Sequence, residues 1–159
     1  MSHALWMQSQ IIDWSQILLD SFNHFLGYQL ISRDATKEDQ AQVLFESPFV
    51  VVSHGTQEDP ILNYGNQIAL ELWSMTWEEL TQTPSRITAE PVNRETRKAM
   101  LQQAAQQGYI DNYTGVRISS TGTRFAIEKA IIWNLVNSSG HKCGQAATFA
   151  HWTVLENLN

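Results

Sequence analysis

The segment from His54 to Pro60 carries side chains that are suited to acid–base chemistry. His54 follows a short apolar run, and Asp59 comes five residues later. Because imidazole changes its charge near neutral pH and a carboxylate can orient it, this pair could serve a small isomerase or hydratase as acid and base. The alternative is structural: His54 and Asn63 organise a loop by hydrogen bonding, while Asp59 and Pro60 form a turn.

His141 and Cys143 lie close together and could supply two soft ligands to a metal ion. A structural zinc site needs about four ligands, and no second pair lies nearby in the sequence. Cys143 is the only cysteine of the chain, which excludes an internal disulfide. The sequence also lacks the motifs of serine hydrolases, P-loop proteins, dinucleotide-binding proteins and zinc proteases. We therefore predict no metal site.

Arginine and aromatic side chains in the second half of the chain indicate a ligand pocket. Arg86 follows a Pro-Ser turn, and Arg117 lies in a β-rich segment. An arginine that faces the interior needs a carboxylate, either from the protein, as from Asp111, Glu90 or Glu128, or from a ligand. In the second case the pocket would suit a small planar or acidic molecule. The pocket candidates are Trp73, Trp77, Arg86, Tyr113, Arg117 and Trp133.

A long amphipathic helix is predicted at the N-terminus, and we assign residues 1–27 to it. Its apolar residues from Ile11 to Leu26 cover an arc of about 220° at helical spacing. A helix that packs on one surface needs an apolar stripe of only about 100°. The helix therefore has two apolar contacts, either both within the domain or one with a second copy of the chain. The second alternative predicts a homodimer, and its contact ridge is Ile11, Trp14, Leu18, Phe22 and Phe25.

The rest of the chain predicts short helices followed by a β-meander. Capping residues begin helices at Thr36, Asn66 and Thr76, and Asn93 begins a longer helix from Arg94 to Gln107. Strands are predicted at Phe49 to Val52, Ile61 to Tyr64, Tyr109 to Ser119, Thr123 to Asn137 and Gly144 to Trp152.

This order of elements predicts an α+β fold with a five-stranded antiparallel sheet. Both sheet faces need a cover, because the strands carry apolar residues on both sides. We expect short helices on one face and the long N-terminal helix on the other. In the longest strand, simple alternation places five apolar side chains on one face. They are Phe125, Ile127, Ile131, Trp133 and Leu135.

Several segments resemble the PAS sensor fold and, within it, the MEKHLA domain. Residues 61–73 resemble the strand, asparagine, helix and aromatic residue that open PAS domains, and residues 122–144 resemble their closing meander. The resemblance to the MEKHLA domain covers residues 21–152 and implies that residues 28–159 form such a domain, of the small bacterial, notably cyanobacterial, type. It rests on the segments Ser53–Thr56 with Asp59–Pro60, Pro84–Arg86, Tyr113–Ser120 and Gly144–Ala147.

The resemblance implies a sensory or protein-interaction module rather than an enzyme. Such a module would be gated by a small ligand and would signal through its dimer contacts or through a partner protein that the sequence does not identify. PAS-like flavin photosensors bond the flavin to a helix cysteine, and haem-binding members use a helix histidine. Residues 76–91 contain no cysteine and residues 94–107 no histidine. Covalent flavin and haem are therefore disfavoured as cofactors.

Charge and hydropathy exclude two classes of partner. The chain has 10 basic and 16 acidic residues, a net charge of −6, whereas proteins that bind nucleic acid neutralise phosphates with Lys and Arg. The longest apolar runs are far shorter than the ~20 residues of a membrane helix. No basic stretch precedes the apolar residues of the N-terminus, as a secretion signal requires. We therefore expect a cytoplasmic protein without nucleic-acid or membrane contacts.

Overall fold

The computed structural model describes residues 4–90 and 94–155. Its helical segments are the 3-10 turn Leu5–Met7, α1 (Ser9–Leu26), α2 (Lys37–Phe45), α3 (Gln67–Trp73), α4 (Trp77–Leu80), the 3-10 turn Ser85–Thr88 and α5 (Arg94–Gln107). Its strands are β1 (Val50–His54), β2 (Leu62–Gly65), β3 (Tyr109–Ile118), β4 (Arg124–Val136), β5 (Lys142–Phe149) and β6 (His151–Val154). The predicted α+β class and the order of elements are confirmed.

Capping side chains determine where the short helices begin. Thr36, Asn66 and Thr76 each accept a hydrogen bond from the backbone amide three residues further on. Gly27 ends α1 with a φ of 80°, a left-handed conformation that glycine adopts without steric cost. These four predicted boundaries are confirmed, while the predicted cap Asn93 lies outside the described residues.

The strands form one antiparallel sheet in the order β2-β1-β5-β4-β3. β6 follows β5 after a bend at Ala150 and pairs with the first part of β4. The register of β4 against β5, with Ile131 opposite Thr148, continues into β6, with Glu128 opposite His151. β5 and β6 therefore behave as one interrupted strand, and the predicted five-stranded sheet is confirmed.

A β-bulge in β4 corrects the predicted assignment of side chains to the sheet faces. Lys129 has a φ of 55°, and β4 has one extra residue relative to β3 at this point. An extra residue reverses the alternation of side chains beyond it. Phe125 and Ile127 therefore pack below α3, whereas Trp133 and Leu135 pack against α1. The prediction that all of them share one face is wrong.

α1 covers one face of the sheet within the same chain. Leu18 and Phe22 are fully buried, and Ile11 is 6% exposed. The indole Nε1 of Trp133 donates to the Leu18 carbonyl oxygen at 3.2 Å, and its ring meets the Phe22 ring edge to face at 5.0 Å. These three ridge residues therefore form an intramolecular contact and are not available to a second copy. The homodimer itself stays a prediction.

The opposite face of the sheet is covered by α3 and α5. Trp73, at the end of α3, is almost fully buried and packs edge to face on Phe125 at 5.4 Å. α5 contributes Ala104 to a smaller cluster with Ile110 and Ile132, while most of its other described side chains are exposed. A cleft lies between the sheet and the described residues Trp73, Ser85 and Thr88, and this cleft is the candidate site.

Candidate ligand site

A cleft of about 100 Å³ lies between the sheet and the segment around the Ser85–Thr88 turn. The sheet side comes from all of the strands β1 to β5, and the opposite side from Trp73, Ser85 and Thr88. Ala147 lines the sheet side, and its short side chain leaves room that a larger residue would fill. An enclosed cavity of about 150 Å³ holds benzene. The cleft therefore has room for a molecule smaller than benzene.

Gly144 determines how closely β1 approaches β5 beside the cleft. A Cβ atom on Gly144 would lie 2.3 Å from the carbonyl oxygen of His54, a distance that only glycine avoids. His54 lines the cleft, and the Nδ1 atom of its ring lies 2.8 Å from the Gly55 carbonyl oxygen. Because a carbonyl only accepts, Nδ1 carries the proton in this contact. Nε2 has no hydrogen bond to the residues that the structure describes, so it can bind a ligand.

Arg117 brings a positive charge to the cleft. The residue is half-buried, its guanidinium lies over the Tyr113 ring at 5.5 Å from the ring centre, and its Nη1 donates to the Val116 carbonyl oxygen at 3.5 Å. Within residues 4–90 and 94–155, no carboxylate lies within ion-pair distance of this guanidinium. Glu90, one of the predicted partners, pairs with Arg124 instead and raises the pKa of Arg124 by its hydrogen bond and its charge. The charge of Arg117 is therefore not neutralised by a described side chain.

Hydrogen bonds hold the other polar groups of the cleft in place. Gln145 Nε2 donates to Asn134 Oδ1 at 3.2 Å, which leaves the Gln145 carbonyl oxygen free to accept. Thr88 Oγ1 donates to the Ser85 carbonyl oxygen at 2.7 Å. No motif in the sequence indicated that Gln145, Ser85 and Thr88 line a cleft. The sequence does place Gln145 among small residues of the last strand, next to Gly144, Ala146 and Ala147. Small side chains leave space beside a sheet, and a polar residue at such a place can contact a ligand.

Arg86 does not face the interior, and this prediction is wrong. Its side chain is 68% exposed and pairs with the Asp59 carboxylate at 3.1 Å on the surface. Because Asp59 binds Arg86 and His54 binds Gly55, no hydrogen bond among the described residues joins the proposed acid–base pair. The structure thus places His54 at the cleft but does not bring its expected carboxylate to it.

The other predicted site residues divide between the two faces of the sheet. Trp73 lines the cleft. Tyr113 contacts the Arg117 guanidinium with the face of its ring. Trp77 and Trp133 pack on the α1 face, so they do not line the cleft. Asn63 Oδ1 accepts a hydrogen bond from Ser53 Oγ at 2.6 Å and ties β2 to β1.

Metal chemistry has no support in the described part of the chain, which holds no group of three or more His, Cys, Asp or Glu side chains that could bind a metal ion. Cys143 is half-buried, and its partial burial raises the pKa of the thiol. It packs against the α1-face cluster, on the opposite side of the sheet from Trp73. None of the helices in residues 4–90 and 94–155 has the length and apolar character to cross a membrane.

Comparison with known proteins shows the family. Residues 12–154 match the sequence model of the MEKHLA domain family. The chain belongs to the MEKHLA domain family. This MEKHLA domain is 23% identical over 156 residues to the homeobox-leucine zipper protein REVOLUTA of Arabidopsis thaliana. The aligned region covers 92% of this chain and 18% of REVOLUTA. It is 22% identical over 137 residues to the homeobox-leucine zipper protein HOX10 of Oryza sativa subsp. indica, with coverages of 85% and 16%. The chain thus spans less than a fifth of these relatives.

Solved structures show that the MEKHLA domain has a PAS-like fold. A PAS domain of a protein from Colwellia psychrerythraea matches with a TM-score of 0.58 and 14% identity, covering 70% of this chain and 92% of that one. An RNA-binding light-oxygen-voltage receptor matches with a TM-score of 0.59 and 17% identity, covering 75% and 34%. At these identities the likeness concerns the fold alone.

The residues around the cleft of this MEKHLA domain do not fit a covalently bound flavin. One structural neighbour is a light-oxygen-voltage domain studied with a flavin analogue. Here the cleft of about 100 Å³ is smaller than a cavity for one benzene ring, whereas a flavin has three fused rings. Cys143 lies on the other side of the sheet and cannot reach a ligand in the cleft. No chemistry through a flavin is therefore derived for this chain.

Proposed function

We propose that this MEKHLA domain is a sensory module that binds a small carboxylate in the cleft beside Arg117 and passes the binding event on by protein contact. The observation that carries the proposal is Arg117, a half-buried residue that lines the cleft and has no described carboxylate within ion-pair distance. A guanidinium binds a carboxylate with two parallel hydrogen bonds. His54 and Gln145 offer further polar contacts at the same cleft.

Binding rather than catalysis is the proposed activity. Asp59 is held by Arg86 on the surface, so His54 lacks the carboxylate that the isomerase or hydratase hypothesis needs. The size of the cleft favours ligands of a few non-hydrogen atoms, such as acetate or propionate. The PAS-like fold, which sensor domains share, supports a signalling role. A cytoplasmic location is also part of the proposal.

Differential scanning calorimetry with matched ligands and variants tests the carboxylate site. Millimolar acetate should raise the melting temperature of the wild-type domain, because a ligand that binds only the folded state stabilises it. Acetamide, which has the same shape without the charge, should not. Arg117→Met should abolish the acetate effect, whereas Arg86→Met, which removes an exposed arginine, should retain it. An acetate effect of equal size in Arg117→Met would contradict the proposal.

We propose that the domain signals by self-association. The dimer contact must use a surface other than Ile11, Leu18 and Phe22, because these residues are buried within the chain. Size-exclusion chromatography with light scattering at tens of micromolar protein should show a dimer. A monomer at that concentration, with and without acetate, would overturn dimer signalling and leave contact with a different partner protein as the output.

A further inference from the structure

A second and larger concavity lies on the α1 face of the sheet, opposite the Arg117 cleft. This groove has a volume of about 430 Å³ and lies between the first turns of α1, strand β2 and helix α4. Small-molecule sites in proteins commonly have volumes of about 300 to 1,000 Å³. We infer that the groove is a second ligand site, which takes an uncharged ring compound with hydrogen-bonding groups on its rim, such as a neutral nucleoside.

Fixed aromatic rings form the walls of the groove. The indole Nε1 of Trp14 donates to Ser53 Oγ at 3.0 Å, which fixes the orientation of this ring. Trp77 stands perpendicular to Tyr64, with their ring centres 5.8 Å apart. Both tryptophans are only half-buried, so part of each ring surface is accessible. Rings that are already held in place offer a flat ligand a stacking surface at a small entropic cost.

The polar groups of the groove are uncharged. They are the amides of Gln8, Gln10, Gln57 and Asn63 and the hydroxyl of Thr81. A charged ligand would lose hydration here without gaining a counter-charge, which is unfavourable. Amides both donate and accept hydrogen bonds. The lining therefore selects a neutral ligand that also carries donors and acceptors.

Tyr64 supports the Trp77 wall of the groove from within the core. It is fully buried, and its hydroxyl lies beside the buried Ser15 hydroxyl. The Ser15 hydroxyl itself donates to the Ile11 carbonyl oxygen at 2.7 Å. Because the core encloses the Tyr64 hydroxyl, this group is not available to a ligand in the groove.

Isothermal titration calorimetry with adenosine, uridine and guanosine as probes tests the groove. At least one of these neutral ring compounds should bind saturably to the full chain, and adenosine should bind more tightly than its monophosphate. Trp77→Leu should weaken binding about tenfold, the size expected for the loss of one base-stacking ring.

Two control variants locate the binding site. Trp152→Leu removes a half-buried tryptophan of β6 that packs with Trp73 on the other face, and Arg117→Met changes the cleft. Neither should change the affinity more than about twofold. Absence of saturable binding by all three probes would overturn the inference, as would a monophosphate that binds as tightly as adenosine. If Arg117→Met alone abolished binding, the probes would occupy the cleft and the inference would also fail.

Discussion

At the scale of single residues, the informative group is the charge that the fold leaves without a counter-charge. Arg33, Arg86 and Arg124 each have a carboxylate within ion-pair distance. Within the described chain, Arg117 has none, although its guanidinium donates to the Val116 carbonyl oxygen at 3.5 Å and it lines the cleft. Because a guanidinium binds a carboxylate strongly, Arg117 marks where an acidic ligand would gain most.

Tyr64→Phe should stabilise the domain in the absence of ligand by about 1 kcal/mol, because it removes an unpartnered buried hydroxyl. Burial also raises the pKa of Tyr64. The phenol then ionises in the unfolded chain near its usual pKa of about 10 but stays neutral in the folded state, so the wild type loses stability as pH rises above that value. Urea melts at pH 7 and pH 10.5 should show a smaller alkaline loss for the variant. A destabilised variant at pH 7 would show that the hydroxyl has a partner.

Trp133→Ala should cost about 4 kcal/mol, within the usual range for removal of a buried large aromatic side chain. Trp133 is fully buried, donates to the Leu18 carbonyl and packs on Phe22. Guanidinium melts measure the loss. Trp152→Ala is the matched control, because this half-buried tryptophan should cost less than half as much. Equal losses would show that Trp133 does not anchor α1.

At the scale of elements, two irregularities shape the sheet. β4 carries its bulge at Lys129, and β3 contains Asn112, which also has a positive φ, of 54°. Each lies next to a register shift between these two strands. The bulge in β4 lets one long strand contribute Phe125 and Ile127 to the α3 face and Trp133 to the α1 face. One strand thus anchors the helices on both sides.

Lys129→Gly should leave the stability unchanged or raise it by about 0.5 kcal/mol. The left-handed conformation costs an ordinary residue about 1 to 2 kcal/mol, and glycine avoids this cost but loses more chain entropy. Glu128→Gly is the matched control, because Glu128 is equally exposed and has no positive φ. It should lose about 0.5 to 1 kcal/mol in urea melts. If Lys129→Gly lost as much as Glu128→Gly, the bulge would lie elsewhere in solution.

At the scale of the whole molecule, α1 is part of the core and not an appendage. It covers the sheet face that contains Trp133, Leu135 and Ala146. The opposite face, below α3 and α5, holds the Arg117 cleft, and the groove lies at the end of α1. A ligand in the cleft and a ligand in the groove would therefore both contact the same sheet, from its two faces.

A fragment of residues 28–159 should not fold on its own, since loss of α1 exposes a large apolar sheet face. The fragment should bind a hydrophobic dye and show no cooperative thermal transition in circular dichroism. Addition of a peptide spanning residues 4–27 should restore part of the transition. A fragment that melts cooperatively near the wild-type temperature would instead support the division of the chain at residue 27.

Local patterns in the sequence determined the elements, because their causes are local. Thr36, Asn66 and Thr76 cap helices through bonds that span three residues, and Gly27 ends α1 through its own backbone freedom. Alternation and helical spacing were enough to predict a sheet covered on both faces. The motifs of the MEKHLA domain likewise lie in short segments, which made the family recognisable.

Only the tertiary structure decided which side chains meet, because pairing depends on residues far apart in the chain. Arg86 finds Asp59, and Arg124 finds Glu90, which leaves Arg117 at the cleft. A single extra residue at Lys129 reversed the faces of β4, although no sequence pattern distinguishes a bulge from continued alternation. The apolar arc of α1 was visible in the sequence. Its contact with β4 depends on the three-dimensional position of a strand more than 100 residues away, as the bond from Trp133 to Leu18 shows.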